Sequence, residues 1–324
     1  MFLAPDGAEI EIAATAAKFL ARAIPLDRLH GAGASPALTA DLRAEFAAMG
    51  WFGLLLPEAD SGSGLSPVEH ALFHREVGRH CGPVDILAQG LAAMVTDGRL
   101  RGALLAGEQC VSLAVEEGPG LRLLGPHDAA LALSVEREGA RLLDVSGIET
   151  AVRPSLDPAT GMRTIVRGSP RTVAASSDGD VWSLGQLGVA AMQVGLAERA
   201  LDLIVEYAKV RETFGRKIGT YQAVRHACAD MALRGEAARC QLWSAAAALR
   251  ERRSDAHAHL DAAKHLANRA AVTNADVDIQ LHGAIGVTEE HHAHLLLKHS
   301  LLLARLFGSK RTLLARLLHA ELEV

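Results

Sequence analysis

The chain has 324 residues, of which 49% are hydrophobic and 22% are charged, a balance that is ordinary for globular proteins and argues against disorder. The formal net charge of −5 and the isoelectric point near 6.3 favour no nucleic-acid or anionic-membrane partner. The 4 cysteines are scattered, which predicts reduced thiols and no disulfide or zinc framework. The chain has no basic-then-apolar leader and no apolar run of roughly 18–20 residues, so we expect a soluble, cytoplasmic protein.

The N-terminal third of the chain has helical patterning that is interrupted by Gly- and Pro-containing segments. Apolar and charged residues alternate at helical spacing at the start, and Ser35-Pro36 has the form of a helix start. Further helices are predicted over residues 67–80 and 88–107. We therefore predict an N-terminal helical domain over residues 1–108.

The residue pattern changes near residue 109. Short apolar runs separated by Gly, Pro and Asp follow one another from CVSLAVEE to PRTVAAS. Runs of this length between turn residues are typical of strands. We predict a small middle β domain over residues 109–180.

From residue 181 onward the chain is rich in Ala and Leu and contains few helix breakers. We predict four long helices, the first running as far as Phe214, with a short tail after Gly308. Ser254-Asp255 is expected to cap the third helix. Short connections between long helices predict an antiparallel four-helix bundle over residues 181–324. The fold class is therefore mainly α with a small β domain, because the elements do not alternate as in a doubly wound sheet.

Two C-terminal segments combine several residue types at fixed spacing. They are R-E-T-F-G-R-K-I-G-T-Y-Q-A-V-R-H-A-C-A-D-M, Arg211 to Met231, and Q-L-H-G-A-I-G-V-T-E-E-H, Gln280 to His291. With the earlier M-G-W-F-G-L-L-L-P-E-A-D-S-G-S-G-L segment, they resemble the acyl-CoA dehydrogenase superfamily across nearly the whole chain. The resemblance implies that family's fold, with an N-terminal helical lobe, a middle β lobe and a C-terminal four-helix bundle, and it implies FAD as the cofactor.

The same resemblance implies which residues contact FAD. In the family, the arginine of the first segment reaches the FAD diphosphate of a neighbouring subunit, and arginine is suited to paired phosphate contacts. Small residues of the second segment let the backbone approach the phosphate, although Ala284 replaces a glycine that is usual there. The residues implied to bind the cofactor are Arg211, Thr213, Phe214, Gln222, Gln280, Gly283 and Ala284.

The family reaction needs a carboxylate base, and neither position where the family carries it holds a carboxylate here. The base takes the α-proton of an acyl-CoA thioester while the β-hydrogen leaves as hydride to the flavin. Counting along the chain from the shared motifs places Phe307 at one position and Gly185 at the other. Glu212, Glu289 and Glu290 are the remaining carboxylates near the motifs, and the catalytic residue stays unassigned.

The middle domain has only a faint echo, Ala114 to Gly120, of the family segment that holds the flavin ring, and no clear counterpart of its tryptophan-bearing strand. With the base also missing, the chain resembles the short, degenerate subunit of heteromeric steroid- and bile-acid-side-chain acyl-CoA dehydrogenases. That resemblance implies an α2β2 assembly with a full-length homologue, a bulky or steroid-like acyl-CoA substrate, and electron-transfer flavoprotein as electron acceptor. Two alternatives remain open: a catalytically silent structural subunit, and a flavin monooxygenase-like relative.

A histidine-rich run, Glu289 to His294, raises the question of a metal site. His291 and His294 are three residues apart and could share a helix face, but the run has no H-E-x-x-H pattern and no defined ligand set. We therefore expect no metal, and we expect His226 and His265 to be residues of a bundle face.

Overall fold

A computed structural model describes residues 5–30, 38–117 and 120–321, and the backbone of Glu117 without its side chain. The described residues are mainly helical, with one 7-stranded sheet and one 2-stranded hairpin, which confirms the predicted fold class. The chain forms two compact units: the first comprises residues 1–33, 71–81 and 187–324, and the second comprises residues 34–70 and 82–186. The predicted helix start at Ser35-Pro36 lies outside the described residues. No helix in the described part of the chain is both long and apolar enough to cross a membrane.

The secondary-structure elements follow one another in the predicted order of helices, strands and helices. The helices are α1 (Gly7–Ala23), α2 (Ala40–Ala48), α3 (Pro67–Arg79), α4 (Asp85–Val95), α5 (Gly98–Leu105), α6 (Asp180–Val210), α7 (Gln222–Arg250), α8 (Ala256–His282), α9 (Ala293–Leu303) and α10 (Lys310–Leu317). The strands are β1 (Val111–Glu117), β2 (Gly120–Leu124), β3 (Leu131–Glu136), β4 (Gly139–Asp144), β5 (Glu149–Val152), β6 (Met162–Arg167), β7 (Arg171–Ser176), β8 (Glu212–Thr213) and β9 (Arg216–Lys217).

The second unit is built around a 7-stranded sheet in the order β5-β6-β2-β1-β3-β4-β7. Neighbouring strands are antiparallel, except that β1 and β3 run parallel. Helix α4 packs against β1, β3, β4 and β7, and it is buried along most of its length. The buried apolar core of the sheet comprises Ala114, Leu123, Ala132, Leu143 and Val145. We keep the division into domains at residues 108/109 and 180/181 as a proposal.

The predicted helical segment over residues 88–107 consists of two helices, because α4 ends at Val95 and α5 begins at Gly98. Gly98 has φ +53°, a conformation that glycine adopts without a steric penalty. The Arg101 side chain stabilises the break, since its Nε donates to the carbonyls of Ala93 and Thr96 at 3.1 and 2.7 Å.

Helices α6, α7 and α8 of the first unit are joined by a buried asparagine. Asn274 Nδ2 donates to the carbonyls of Ala197 on α6 and Met231 on α7, at 3.0 Å each. Its Oδ1 accepts from Arg234 Nε at 3.0 Å, so the amide is satisfied on both sides. Because successive long helices with short connections run antiparallel, the C-terminal ends of α6 and α8 and the N-terminal end of α7 lie together.

The bundle core also contains a fully buried lysine. Lys264 is 0% exposed, and its Nζ donates to Asn268 Oδ1 at 2.6 Å and to the carbonyl of Leu303 at 3.1 Å. No carboxylate among the described residues pairs with it. Burial therefore lowers the pKa of Lys264 to about 7.

Lys264→Met is expected to flatten the pH dependence of stability. Between the folded pKa of about 7 and the ordinary lysine value of 10.5, the unfolded chain binds a proton that the folded chain does not. Stability therefore rises with pH across this window, by about 1.4 kcal/mol per unit for one group. Chemical unfolding measured at several pH values should show this slope in the unmodified chain and in Lys310→Met, which changes an exposed lysine, and should show it reduced in Lys264→Met. An unchanged slope in Lys264→Met would contradict the assignment.

Candidate functional site

The first segment implied to bind FAD forms a small exposed hairpin. The prediction that the first bundle helix continues to Phe214 is wrong, because α6 ends at Val210 and strands β8 and β9 follow. Phe214 and Gly215 form the turn, with φ of +50° and +72°. Two consecutive residues with positive φ match the twist of a tight two-residue hairpin, so the Phe-Gly pair closes this turn.

Phe214 lies at the tip of the hairpin with an exposed side chain and an unfavourable backbone conformation. Its side chain is 98% exposed, and a bulky residue with positive φ is uncommon. The folded chain itself gains no burial from this ring. A strained and solvent-facing aromatic side chain favours a contact with another molecule.

Arg211 lies between the end of α6 and the hairpin, with a fixed backbone and an exposed side chain. Its N–H donates to the Tyr207 carbonyl, and its own carbonyl accepts from Ile218 N–H, both at 2.9 Å. Its guanidinium pairs with no carboxylate among the described residues, whereas Arg253 and Arg316 are each bound by an aspartate. Arg211 is therefore free to bind an external anion.

Tyr221 holds the hairpin in place, and the sequence analysis missed it. Its hydroxyl donates to the Thr213 carbonyl at 2.8 Å, and the Arg216 guanidinium lies 4.0 Å from the centre of its ring. Thr213 itself is half-buried, and Gln222, the first residue of α7, is exposed. The sequence feature that could have indicated this role is the position of Tyr221 directly before Gln222 of the motif. This position places the tyrosine ring next to the hairpin.

The second segment begins where α8 ends, at His282, and continues as a 3-10 turn over Gly283–Val287. Gly283 has φ +71°, and a side chain there would meet open space, so backbone conformation favours glycine at this position. Gly286 is needed for packing, because a Cβ would lie 2.7 Å from the Ile279 carbonyl. Gln280 and Ala284 are exposed. The turn thus presents backbone and small side chains at the surface.

A ring contact connects the two segments. The Tyr207 ring lies 4.5 Å from the His282 ring, centre to centre, and the Tyr207 carbonyl accepts from Arg211 N–H. Hairpin and turn therefore share one end of the bundle. A surface cation, an exposed aromatic ring and an open glycine turn are features that suit an anionic group such as a diphosphate.

Buried polar groups pack next to the glycine turn. Asp278 is 0% exposed, and its Oδ1 lies 3.0 Å from His282 Nδ1. Burial raises the pKa of Asp278 above its ordinary value. The His291 ring packs 4.2 Å from the His282 ring, and burial together with neighbouring histidine charges lowers the pKa of His291 to about 4. The His291 ring is therefore a neutral imidazole at neutral pH.

Neither position counted for the catalytic base provides one. Phe307 is buried in the link between α9 and α10, and Gly185 is buried within α6. Glu212, Glu289 and Glu290 are all exposed. A base that takes a proton from carbon works best in a dry pocket, so these exposed carboxylates do not fit that role within this chain.

The sheet has few of the features that the resemblance implies for a flavin-ring site. Of the echo segment Ala114 to Gly120, the first residues lie on β1, while residues 118 and 119 lie outside the described part. The three tryptophans are on helical segments: Trp51 on a 3-10 turn, Trp182 on α6 and Trp243 on α7. None of the strands in the described part of the chain therefore carries a tryptophan.

Two family profiles match the chain. The profile described as "Acyl-CoA dehydrogenase, N-terminal domain" matches residues 7–99, and the profile described as "Acyl-CoA dehydrogenase, C-terminal domain" matches residues 183–321. The second match contains both segments described above.

Two curated relatives are from Mycobacterium tuberculosis. Acyl-CoA dehydrogenase IpdE2 is 31% identical over 82% of this chain and 81% of its own length. Acyl-CoA dehydrogenase FadE34 is 34% identical over 79% of this chain, but the match spans only 38% of FadE34.

Two solved structures have a similar fold. The structure titled "Crystal structure of the ChsE4-ChsE5 complex from Mycobacterium tuberculosis" matches with a TM-score of 0.81 and 19% identity over 98% of both chains. The structure titled "Tcur3481-Tcur3483 steroid ACAD G363A variant" matches with a TM-score of 0.77 and 23% identity over 96% of this chain and 97% of the other. At these identities the likeness concerns the fold.

Proposed function

The chain belongs to the acyl-CoA dehydrogenase family, and from that premise we propose that it is a subunit of a heteromeric, flavin-dependent acyl-CoA dehydrogenase. In this proposal it contributes FAD-diphosphate contacts across a subunit interface, while a partner subunit supplies the catalytic base and the flavin-ring site. FAD is the cofactor of the family, and when bound it accepts the hydride that leaves the β-carbon of the thioester.

One observation carries the proposal: Arg211 has no carboxylate partner among the described residues, and Phe214 of the hairpin that follows it is 98% exposed, both at the same end of the bundle. If Arg211 and the hairpin reach into another polypeptide, both side chains are exposed in the isolated chain. The same end of the bundle carries Gln222, Gln280 and the Gly283 turn, which would complete the FAD-contacting surface.

The proposed role of the partner depends on the residues at the two positions counted for the catalytic base. Phe307 and Gly185 cannot accept a proton, and in this proposal the carboxylate that takes the α-proton comes from the partner subunit. ChsE4-ChsE5 is by its title a complex of two proteins, and it has the fold of this chain. We extend the proposal to an α2β2 assembly with a full-length homologue, and to electron-transfer flavoprotein as the electron acceptor.

The substrate is proposed to be a bulky, steroid-like acyl-CoA thioester. The support is the resemblance to heteromeric side-chain dehydrogenases and the fold shared with a structure whose title says "steroid ACAD". A cytoplasmic location also belongs to the proposal and rests on the composition of the chain.

Co-expression with a full-length homologue from the same genome tests this function. We expect a yellow complex that reduces an artificial dye when given a steroid-side-chain acyl-CoA, because base and cofactor site are then both complete. The homologue purified alone and this chain purified alone are the controls, and both should be inactive. Dye reduction by the homologue alone at the rate of the complex would contradict the shared site.

A catalytically silent structural subunit is the second candidate, and the absence of a carboxylate at Phe307 and Gly185 favours it equally. It differs in needing no FAD contact from this chain. Substitution of Arg211 in the complex separates the two candidates.

A further inference from the structure

Two distant parts of the first unit bring nitrogen and oxygen ligands together. The 3-10 turn Leu26–Leu29 provides Asp27, His30 follows it, and His292 immediately precedes α9. One ligand atom from each of these three side chains lies within 4.8 Å of the other two. The His292 Nε2 and Asp27 Oδ1 atoms are 2.9 Å apart, and the His30 and His292 ring centres are 4.8 Å apart.

The hydrogen bonds of His30 leave one nitrogen lone pair available. Its Nδ1 lies 2.5 Å from the Glu289 carbonyl, which can only accept, so Nδ1 carries the proton and donates. Nε2 then keeps its lone pair, and this atom is buried with no hydrogen-bond partner in the part of the chain that the structure describes. A ring whose second nitrogen donates to a backbone carbonyl has the arrangement that orients histidines in metal sites.

We propose that Asp27, His30 and His292 bind a Zn²⁺ ion. Two imidazole nitrogens and one carboxylate oxygen are ligands that Zn²⁺ accepts, and three protein ligands leave a fourth position for water. Tetrahedral bonds to zinc of about 2.0–2.2 Å place the ligand atoms about 3.4 Å apart. The widest pair, now within 4.8 Å, would close by up to about 1.4 Å, and the His292 and Asp27 atoms, now 2.9 Å apart, would open by about 0.5 Å. Asp27 lies on the surface and can make this adjustment.

The site would connect a turn near the N terminus to the loop before α9. The run Glu289–His294 alone has no complete ligand set, and its sequence therefore predicts no metal. The folded chain supplies the missing ligands from Asp27 and His30, which precede His292 by 265 and 262 positions in the sequence. The proposal is independent of FAD and of the partner subunit.

Zinc titration of the tag-free full chain tests the proposal. After removal of metals with a chelator, calorimetry with ZnCl₂ should give about one ion per chain, and Zn²⁺ should raise the unfolding temperature. Asp27→Asn retains an oxygen that can accept from His292 but removes the charge, and His30→Gln retains a donor for the Glu289 carbonyl. Each of these variants, and His292→Gln, should bind zinc at least about tenfold more weakly.

The control is His319→Ala, which removes an exposed histidine near the C-terminal end of the chain. It should bind zinc as the unmodified chain does. Absence of stoichiometric binding in the unmodified chain would overturn the proposal. So would unchanged affinity in any of the three ligand variants, since binding would then come from other surface histidines.

Discussion

Arg211→Ala is expected to release FAD from the assembled complex while the two subunits stay together. The Arg211 guanidinium is exposed and unpaired among the described residues, so its removal leaves no broken contact within this chain. A hydrogen bond between charged groups contributes about 1.5–3 kcal/mol, so the affinity for FAD should fall by roughly 10- to 150-fold. The ratio of flavin absorbance to protein after gel filtration measures FAD content, and the elution volume measures assembly.

Lys217→Ala is the matched control, because it removes the same charge from the same hairpin. It should keep FAD. Arg211→Lys should retain part of the affinity, since lysine supplies the charge but not the paired donors. Full FAD content in Arg211→Ala would refute the proposed contact between Arg211 and FAD, and it would favour the silent structural subunit.

Gly195→Ala is expected to destabilise the first unit strongly. Helices α3 and α6 cross with their backbones in contact, and a Cβ on Gly195 would lie 1.9 Å from the Arg75 carbonyl. A Cβ on Gly78 would lie 2.0 Å from the Met192 carbonyl at the same crossing. The helices must separate to admit the methyl group, which should cost about 3 kcal/mol or more.

Separation of these helices would also weaken the ion pairs that join them. Arg75 Nη2 lies 2.7 Å from Glu198 Oε2, and Arg79 pairs with Asp202 on α6. Chemical denaturation of the purified chain, followed by circular dichroism, measures the combined loss.

Gly235→Ala in α7 is the control with the opposite expected sign. Nothing lies within 4 Å of the position that its Cβ would take, and alanine is favoured over glycine in a helix interior by about 1 kcal/mol. It should therefore be neutral or stabilising. Equal effects of the two substitutions would show that α3 and α6 do not cross as closely as described.

Local periodicity was sufficient to predict the fold class and most helices. The long bundle helices α6, α7 and α8 contain no proline, and their ends lie within a few residues of the expected positions. The predicted helix boundaries were wrong where a turn conformation or a tertiary contact determines where a helix begins or ends. The break at Gly98 depends on one glycine conformation, and helix α10 follows Gly308 in what was expected to be a short tail. Its Arg316 pairs with the buried Asp261 of α8, a contact that no local pattern encodes.

The site was predictable from motifs only as a list of residues. The motifs named Arg211 and Phe214, but they did not predict the hairpin, because Phe in a left-handed conformation is uncommon. They also missed Tyr221, which fixes that hairpin. The roles of the named residues toward FAD stay predictions.

The ligands around His292 could not have been found from the sequence. Asp27 and His30 are separated from His292 by most of the chain, and nothing in their local pattern indicates a shared site. Only the packing of the turn at Leu26–Leu29 against the loop before α9 brings them together.

The central claim is that a guanidinium of this chain binds a diphosphate held mainly by another polypeptide. A structure of the co-expressed complex with FAD tests it directly. We predict the Arg211 guanidinium within hydrogen-bonding distance of the FAD diphosphate, with the isoalloxazine ring seated in the partner. An Arg211 side chain turned to bulk solvent, remote from any subunit boundary, would contradict the account.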